Sequence, residues 1–423
     1  MYSISKTHLL ATAAVLSLII TTFLVFSTQY STSVAKYALK TSLKPGYCPH
    51  VEWNNSSDWE FHVERDGNNY GLTAQQCRAA FPKLFVEIDK STATRKDNPI
   101  TFDELDKIPV SDGMVRGIID NGQLYILDYA PQPATFTRAK ATLHALHRAL
   151  SASPSQLPSL EFILTTEDFH TPSPDDPTPL IWSYTKQPED RNTWLMPDFG
   201  YWSWPEVHAG PYSSVRARLR TIDEGSPQTS TPALPFQSKR KQLLWRGATA
   251  PNPSIRGTLL KATQGKSWAS VRVLDWDNPD GHFLPLEDHC RYMFLAHTEG
   301  RSFSGRGKYL LNCKSVVVSH PLRWVEAHHA ALVAAPHPEA NYVQVADGWA
   351  DLEEKMRWLI DHPVEAERIA VNAVAVFRDR YLTPAAEACY WRELVTGFAS
   401  VLAFEPVVLG RPGVLFEDWV LGV

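Results

Sequence analysis

The 423-residue sequence predicts an α/β protein, with two doubly wound domains facing a cleft and one membrane-spanning helix ahead of them. Three observations lead there. Short apolar runs alternate with helical periodicity on both sides of a polar, proline-bearing stretch at 221–238. A βαβ unit with a glycine- and serine-rich loop can be read between 288 and 320. About twenty residues without a charge, 8–27, come first and are long enough to cross a bilayer as a helix.

Lys6 precedes that run, and no small-x-small cleavage site stands out after it. The expectation is an uncleaved type II signal anchor, with a short cytosolic tail and the remainder lumenal. Asn54-Asn55-Ser56-Ser57 offers overlapping glycosylation acceptors, in keeping with a lumenal stem. The expected division is tail, anchor and start of stem at 1–40, stem at 41–70, an N-terminal α/β domain at 71–225, and a C-terminal α/β domain at 226–385. The final segment, 386–423, would pack back on the first domain.

In the first domain, 72–91 reads as a helix with Thr73 as cap, and 114–119 with 123–129 as a hairpin closed by Asn121-Gly122. A second helix follows at 138–152. The short apolar run beginning at Leu160 is a buried strand, and Glu167 and Asp168 fall at its C-terminal end, where open α/β sheets bind ligands. Asp168 is there a candidate general base, against the plainer reading of a turn residue. Beyond a proline-rich loop at 171–179 and a short strand at 180–184, the segment 194–205 is dense in Trp, Tyr and Pro. It is a core plug or the wall of a sugar pocket, with Tyr201 and Trp202 as the candidates.

The second domain opens with a strand at 242–247 that ends in Arg246 and Gly247, a helix at 254–263, and a strand at 271–274. A cation at a strand tip is costly to bury without an anionic partner. In the βαβ unit the expected parts are a strand at 292–297, a loop at 298–303, a helix at 304–312 with Ser304 near its N-cap, and a strand at 315–319. Gly300, Gly305 and Gly307 permit close approach of backbone to a ligand, and Arg306 and Lys308 add two cations. That combination suits a diphosphate. Three helices, at 347–359, 365–381 and 385–404, complete the chain.

The net charge of −5 gives no overall attraction to nucleic acid, while 14 Trp and 15 Tyr permit a carbohydrate ligand. Of five cysteines, Cys290 and Cys313 bracket the loop and are expected to be bridged. The pairing of Cys48, Cys77 and Cys389 stays open. Asp275-Trp276-Asp277 has the Asp-x-Asp form that holds a metal on a nucleotide sugar, but its position favours a turn. Glu326 with His328-His329 lacks the spacing of a helical zinc site.

Five features in one order carry a resemblance: Thr165-Thr166-Glu167-Asp168, Pro197-Asp198-Phe199-Gly200-Tyr201-Trp202, Trp245-Arg246-Gly247, the block from Cys290 to Cys313, and Cys389-Tyr390-Trp391. Together they resemble glycosyltransferase family 90, which contains fungal capsule-associated xylosyltransferases and animal protein O-glucosyltransferases. The resemblance implies a GT-B fold of two Rossmann-like domains, a UDP-sugar donor, inversion at the anomeric carbon, and neither metal nor other cofactor. By position, Asp168 matches the catalytic aspartate, Arg246 the diphosphate-binding arginine and Arg306 the arginine of the donor loop. Gly247, Gly300, Ser302, Phe303, Ser304 and Lys308 would lie around the donor, and Glu326 is a candidate for the ribose. Tyr201 and Trp202 would form the acceptor or sugar pocket.

The sequence departs from the animal members at Glu167-Asp168, where they carry Arg-Asp, and at 300–304, where they carry an alanine-rich loop. The sugar, xylose or glucose, and the acceptor, glycan or protein, therefore stay open. With the anchor and no Lys-Asp-Glu-Leu-type ending, the expected location is the Golgi or ER membrane. Two alternatives are a non-catalytic lumenal glycan-binding protein and a metal-dependent transferase using Asp275 and Asp277.

Overall fold

A computed structural model describes residues 59–130, 136–168, 180–207, 209–274, 282–408, 410–411 and 413–422. The expected anchor at 8–27, the stem before Trp59 with Cys48 and Asn54–Ser57, the proline-rich loop at 171–179 and Asp275–Asp277 lie outside the described residues. Among the described residues no helix is long and apolar enough to cross a membrane.

The architecture is mixed α/β with two sheets. Strands β1 (Met114–Asp120) and β2 (Gln123–Tyr129) form the expected hairpin. Its turn places Asn121 at φ 49° and Gly122 at φ 77°, the left-handed pair that a two-residue turn needs to match strand twist. β1 also pairs antiparallel with β3 (Leu160–Thr165), and β4 (Trp182–Ser183) and β5 (Trp194–Leu195) then add in parallel. The first sheet is therefore mixed rather than doubly wound throughout. A hairpin cannot supply the crossover that parallel neighbours require.

The second sheet is parallel in every pairing. It comprises β6 (Arg240–Gly247), β7 (Ala269–Val273), β8 (Tyr292–His297), β9 (Val316–Ser319) and β10 (Val343–Gln344), and β11 (Val414–Leu415) closes the far edge of the first sheet. β8 and β9 are buried along their whole length, as strands covered on both faces must be. The spatial order β7-β6-β8-β9-β10 makes the chain reverse its winding direction between β6 and β8. The crevice outside the carboxyl ends of that pair is where a doubly wound sheet receives a ligand.

Three helices differ from expectation for identifiable reasons. The span 72–91 is two helices, Ala74–Ala80 and Val86–Arg95, because Pro82 interrupts the first. Thr73 caps the first helix as expected, in a reciprocal capping box with Gln76. The polar stretch at 221–238 begins inside the helix Tyr212–Glu224, which Gly225 terminates. Its last turn is held by Asp223, buried and bonded to Lys239 Nζ (2.6 Å), Lys314 N (2.7 Å) and Arg378 Nη1 (3.3 Å). Finally, the expected helix at 304–312 is a single turn, Gly307–Leu310, so the loop before it presents irregular backbone and not a long helix end.

The buried helix Pro384–Ala399 packs against Phe136–Ser151 and Val86–Arg95. Among the described residues two disulfides are formed: Cys290–Cys313, as expected, and Cys77–Cys389, which ties this helix to the first described part of the chain.

Candidate active site

A cavity of about 400 Å³ opens at the switch point of the parallel sheet, its second wall supplied by the end of β3 and the helices beside it. Asp168, Arg246, Gly247, Gly300, Phe303, Ser304 and Arg306 all line it.

Arg246 leaves β6 at its tip and is 8% exposed. Its guanidinium donates to the carbonyls of His282 (2.9 Å), Trp245 (2.9 Å) and Ser270 and to Ser270 Oγ (3.1 Å). With most donors committed to carbonyls, it offers a ligand positive charge more than a free fork. Arg256 stands in the first turn of the helix Pro253–Thr263, donating to the carbonyls of Glu299 (3.0 Å) and Ala248 (2.7 Å). The same helix begins at Asn252, whose side chain caps Ile255 N and donates to the Gly300 carbonyl (3.0 Å), fixing the loop to the helix. Gly300 keeps this contact close: a Cβ there would stand 3.1 Å from the Phe303 carbonyl and 3.3 Å from Arg256 Nη2, so both would have to shift slightly. Arg306 donates through Nη1 to the Arg246 carbonyl, and its buried Nε has no partner.

None of these three arginines has a carboxylate within ion-pair distance among the described residues. Burial pushes the Arg306 guanidinium down to about 9, with Arg256 and Arg246 adding to the effect. Burial likewise pushes Arg256 to about 10, partly opposed by Asp168. Guanidinium groups stay charged at neutral pH all the same. The cluster is thus short of negative charge, a condition that costs free energy until an anion enters.

Asp168 faces this cluster from the other wall, its side chain 37% exposed, while the cavity's other carboxylate, Glu287, is paired with Arg218 at 2.9 Å. Its Oδ1 accepts from Arg138 Nη1 at 3.0 Å, and its carbonyl accepts from Ser302 Oγ. Arg138, on the helix Phe136–Ser151, rests over the Phe199 ring at 4.7 Å. The carboxylate is therefore oriented from one wall while its backbone is tied to the loop of the other.

Several expected site residues do other work. Ser302 is buried beneath the cavity in the bond to Asp168. Lys308 is buried and neutralised by Asp198 (2.7 and 2.9 Å) instead of facing a diphosphate. It passes under the loop to the 197–202 segment, over whose Tyr201 ring its ammonium sits at 5.5 Å. Tyr201 is accordingly a buried support, and Trp202 stacks on His144 at 4.7 Å; neither lines the cavity. Glu326 is buried away from it. The ligand atoms of Glu326, His328 and His329 lie within 4.8 Å of one another. However, His329 Nδ1 accepts from Glu326 N (3.2 Å), which leaves its Nε2 protonated toward the Glu326 carboxylate (3.2 Å). That pair satisfies itself.

Arg138, Arg256 and His289 line the cavity without having been anticipated. One signal for Arg256 existed: a cation in a first helical turn opposes the helix dipole and calls for a reason. Nothing in the sequence around His289 set it apart from its neighbours.

A carboxylate set across a cavity from arginines without carboxylate partners, in an α/β protein, makes a site suited to an anionic ligand. The chain is a member of glycosyl transferase family 90, whose model matches residues 74–413. Protein O-glucosyltransferase 1 of Rattus norvegicus is 24% identical over 262 residues, covering 59% of this chain and 64% of that protein. The O-glucosyltransferase rumi of Drosophila melanogaster is 23% identical over 270 residues, covering 59% and 62%. The chain thus matches a little under two thirds of the length of these curated relatives. Among solved structures, Anabaena HepE in complex with UDP-glucose overlaps 47% of this chain and 57% of that one with a TM-score of 0.26 at 11% identity, too slight a likeness to carry an argument.

Proposed function

We propose that this chain is an inverting, metal-independent glycosyltransferase that moves glucose or xylose from a UDP-sugar to a hydroxyl of a protein or glycan. The two sheets would act as the halves of a GT-B enzyme, anchored through 8–27 with the catalytic part in the lumen of the ER or Golgi. The observation that carries the reading is the single cavity holding Asp168 against Arg246, Arg256 and Arg306. The names of the relatives, protein O-glucosyltransferases, support sugar transfer and a protein acceptor.

Asp168 takes the proton of the acceptor hydroxyl as that oxygen forms its bond to the anomeric carbon. The bond from that carbon to the diphosphate oxygen breaks on the opposite face, and its electron pair leaves with UDP. The growing negative charge is met by guanidiniums already in place, so little reorganisation is needed at the moment of transfer. Arg138 holds the carboxylate in position.

Replacing Asp168 by Asn is expected to lower transfer by about 10²- to 10⁴-fold while UDP affinity is kept. Unchanged turnover in a UDP-release assay over a panel of UDP-sugars would reject the assignment. Activity should also survive EDTA.

A further inference from the structure

We propose that His289 Nε2 and Arg306 Nε together bind the nucleoside of the nucleotide donor, through a group that both accepts and donates a hydrogen bond. Such a group is a ribose hydroxyl or the N–H/C=O edge of the base. The inference rests on the nucleotide-dependent reading above and extends it to a subsite.

His289 lines the cavity and is buried. Its Nδ1 lies 3.1 Å from the Pro285 carbonyl, an atom that can only accept, so Nδ1 carries the proton and Nε2 presents a lone pair. That Nε2 has no partner, and neither has the Nε–H of Arg306. One buried acceptor and one buried donor thus lack partners on two residues that line the same cavity, and each such group costs free energy until it is matched. A phosphate oxygen could answer the donor but has no proton for the acceptor. A hydroxyl answers both, as does the lactam edge of uracil.

The cavity wall favours the nucleoside over the sugar. Leu274, Phe283, Leu284 and Leu286 line the same cavity as His289, and this apolar surface suits a base and its ribose. Burial, with the nearby arginine charges, holds the imidazole down to about 4, so it stays neutral and keeps its lone pair at working pH.

The test is calorimetric titration of the full chain with UDP, 2′-deoxy-UDP, 3′-deoxy-UDP and 3-methyl-UDP, repeated on His289→Leu and His289→Asn. One analogue should bind the native chain about tenfold more weakly than UDP, and it identifies the hydroxyl or the base edge as the source. His289→Leu should lose about the same factor for UDP and no longer distinguish that analogue. If all three analogues match UDP on the native chain, the proposal is wrong, whether or not the variants fold. It is equally wrong if the Leu variant weakens every nucleotide and pyrophosphate alike, since His289 would then only position Arg306. Both results leave the transferase reading intact, whereas failure of the native chain to bind UDP at all overturns both.

Discussion

Arg306 and Lys308 are two residues apart, carry the same charge and meet opposite fates. Lys308 has Asp198 at 2.7 Å and no solvent, while Arg306 keeps a buried Nε without a partner beside two other guanidiniums. Arg306→Ala should therefore cost binding rather than folding. UDP affinity is expected to fall about 10- to 100-fold, the worth of charge-assisted bonds to one diphosphate, with the urea midpoint unchanged or raised. Lys308→Met should do the reverse, leaving Asp198 buried without its counter-ion at about 3–5 kcal/mol of stability. A titration and an unfolding curve on each variant check the pair, and equal effects on both readouts would contradict the division of roles.

The element that matters most is the loop between β8 and β9. Its C-terminal end is fastened by the Cys290–Cys313 disulfide to the residues ahead of β8, its middle by Asn252 at the Gly300 carbonyl, and its underside by Ser302 and Lys308. A single helical turn has few free amides, so the loop serves the cavity by holding Arg306 against Arg246 and Arg256. Replacing both Cys290 and Cys313 by Ala is expected to lower stability by about 2–4 kcal/mol and to weaken UDP binding as the loop loosens. Native-like values for the urea midpoint and the UDP titration would show that the bond is dispensable.

Over the whole molecule, the two sheets are joined by buried charge as well as by apolar packing. Asp223 gathers Lys239, Lys314 and Arg378 from distant parts of the chain. Elsewhere, Glu387 on the helix Pro384–Ala399 is buried against Arg148 (2.8 Å) and Trp391 Nε1 (3.0 Å). Burial outweighs those partners and lifts the carboxyl from 4.5 to about 7. Between those values the folded chain holds a proton that the unfolded chain has released. Stability should accordingly fall as pH rises through that window, by at most about 3 kcal/mol. Thermal unfolding followed from about pH 5 to about pH 8 should show the decline, and Glu387→Gln should flatten it. A variant as pH-dependent as the native chain would place the effect elsewhere.

What the sequence alone determined was local: Thr73 as a cap, Asn121-Gly122 as a turn, β3, β6, β8 and β9 as strands, and the Cys290–Cys313 bridge between neighbours in the chain. Each follows from chemistry within a few tens of residues. It also marked Asp168 and Arg246, because they stand where strands end, and Arg306, because it follows a glycine-rich loop. Only the tertiary structure decided which cations stay free. Lys308 meets Asp198 across 110 positions, and Cys77 meets Cys389 across 312. Whether a charge is neutralised depends on such distant partners, and no periodicity records them. For the same reason Arg138, Arg256 and His289 were unremarkable in the sequence and became members of the site once β3, β6 and β8 brought their ends to one cavity.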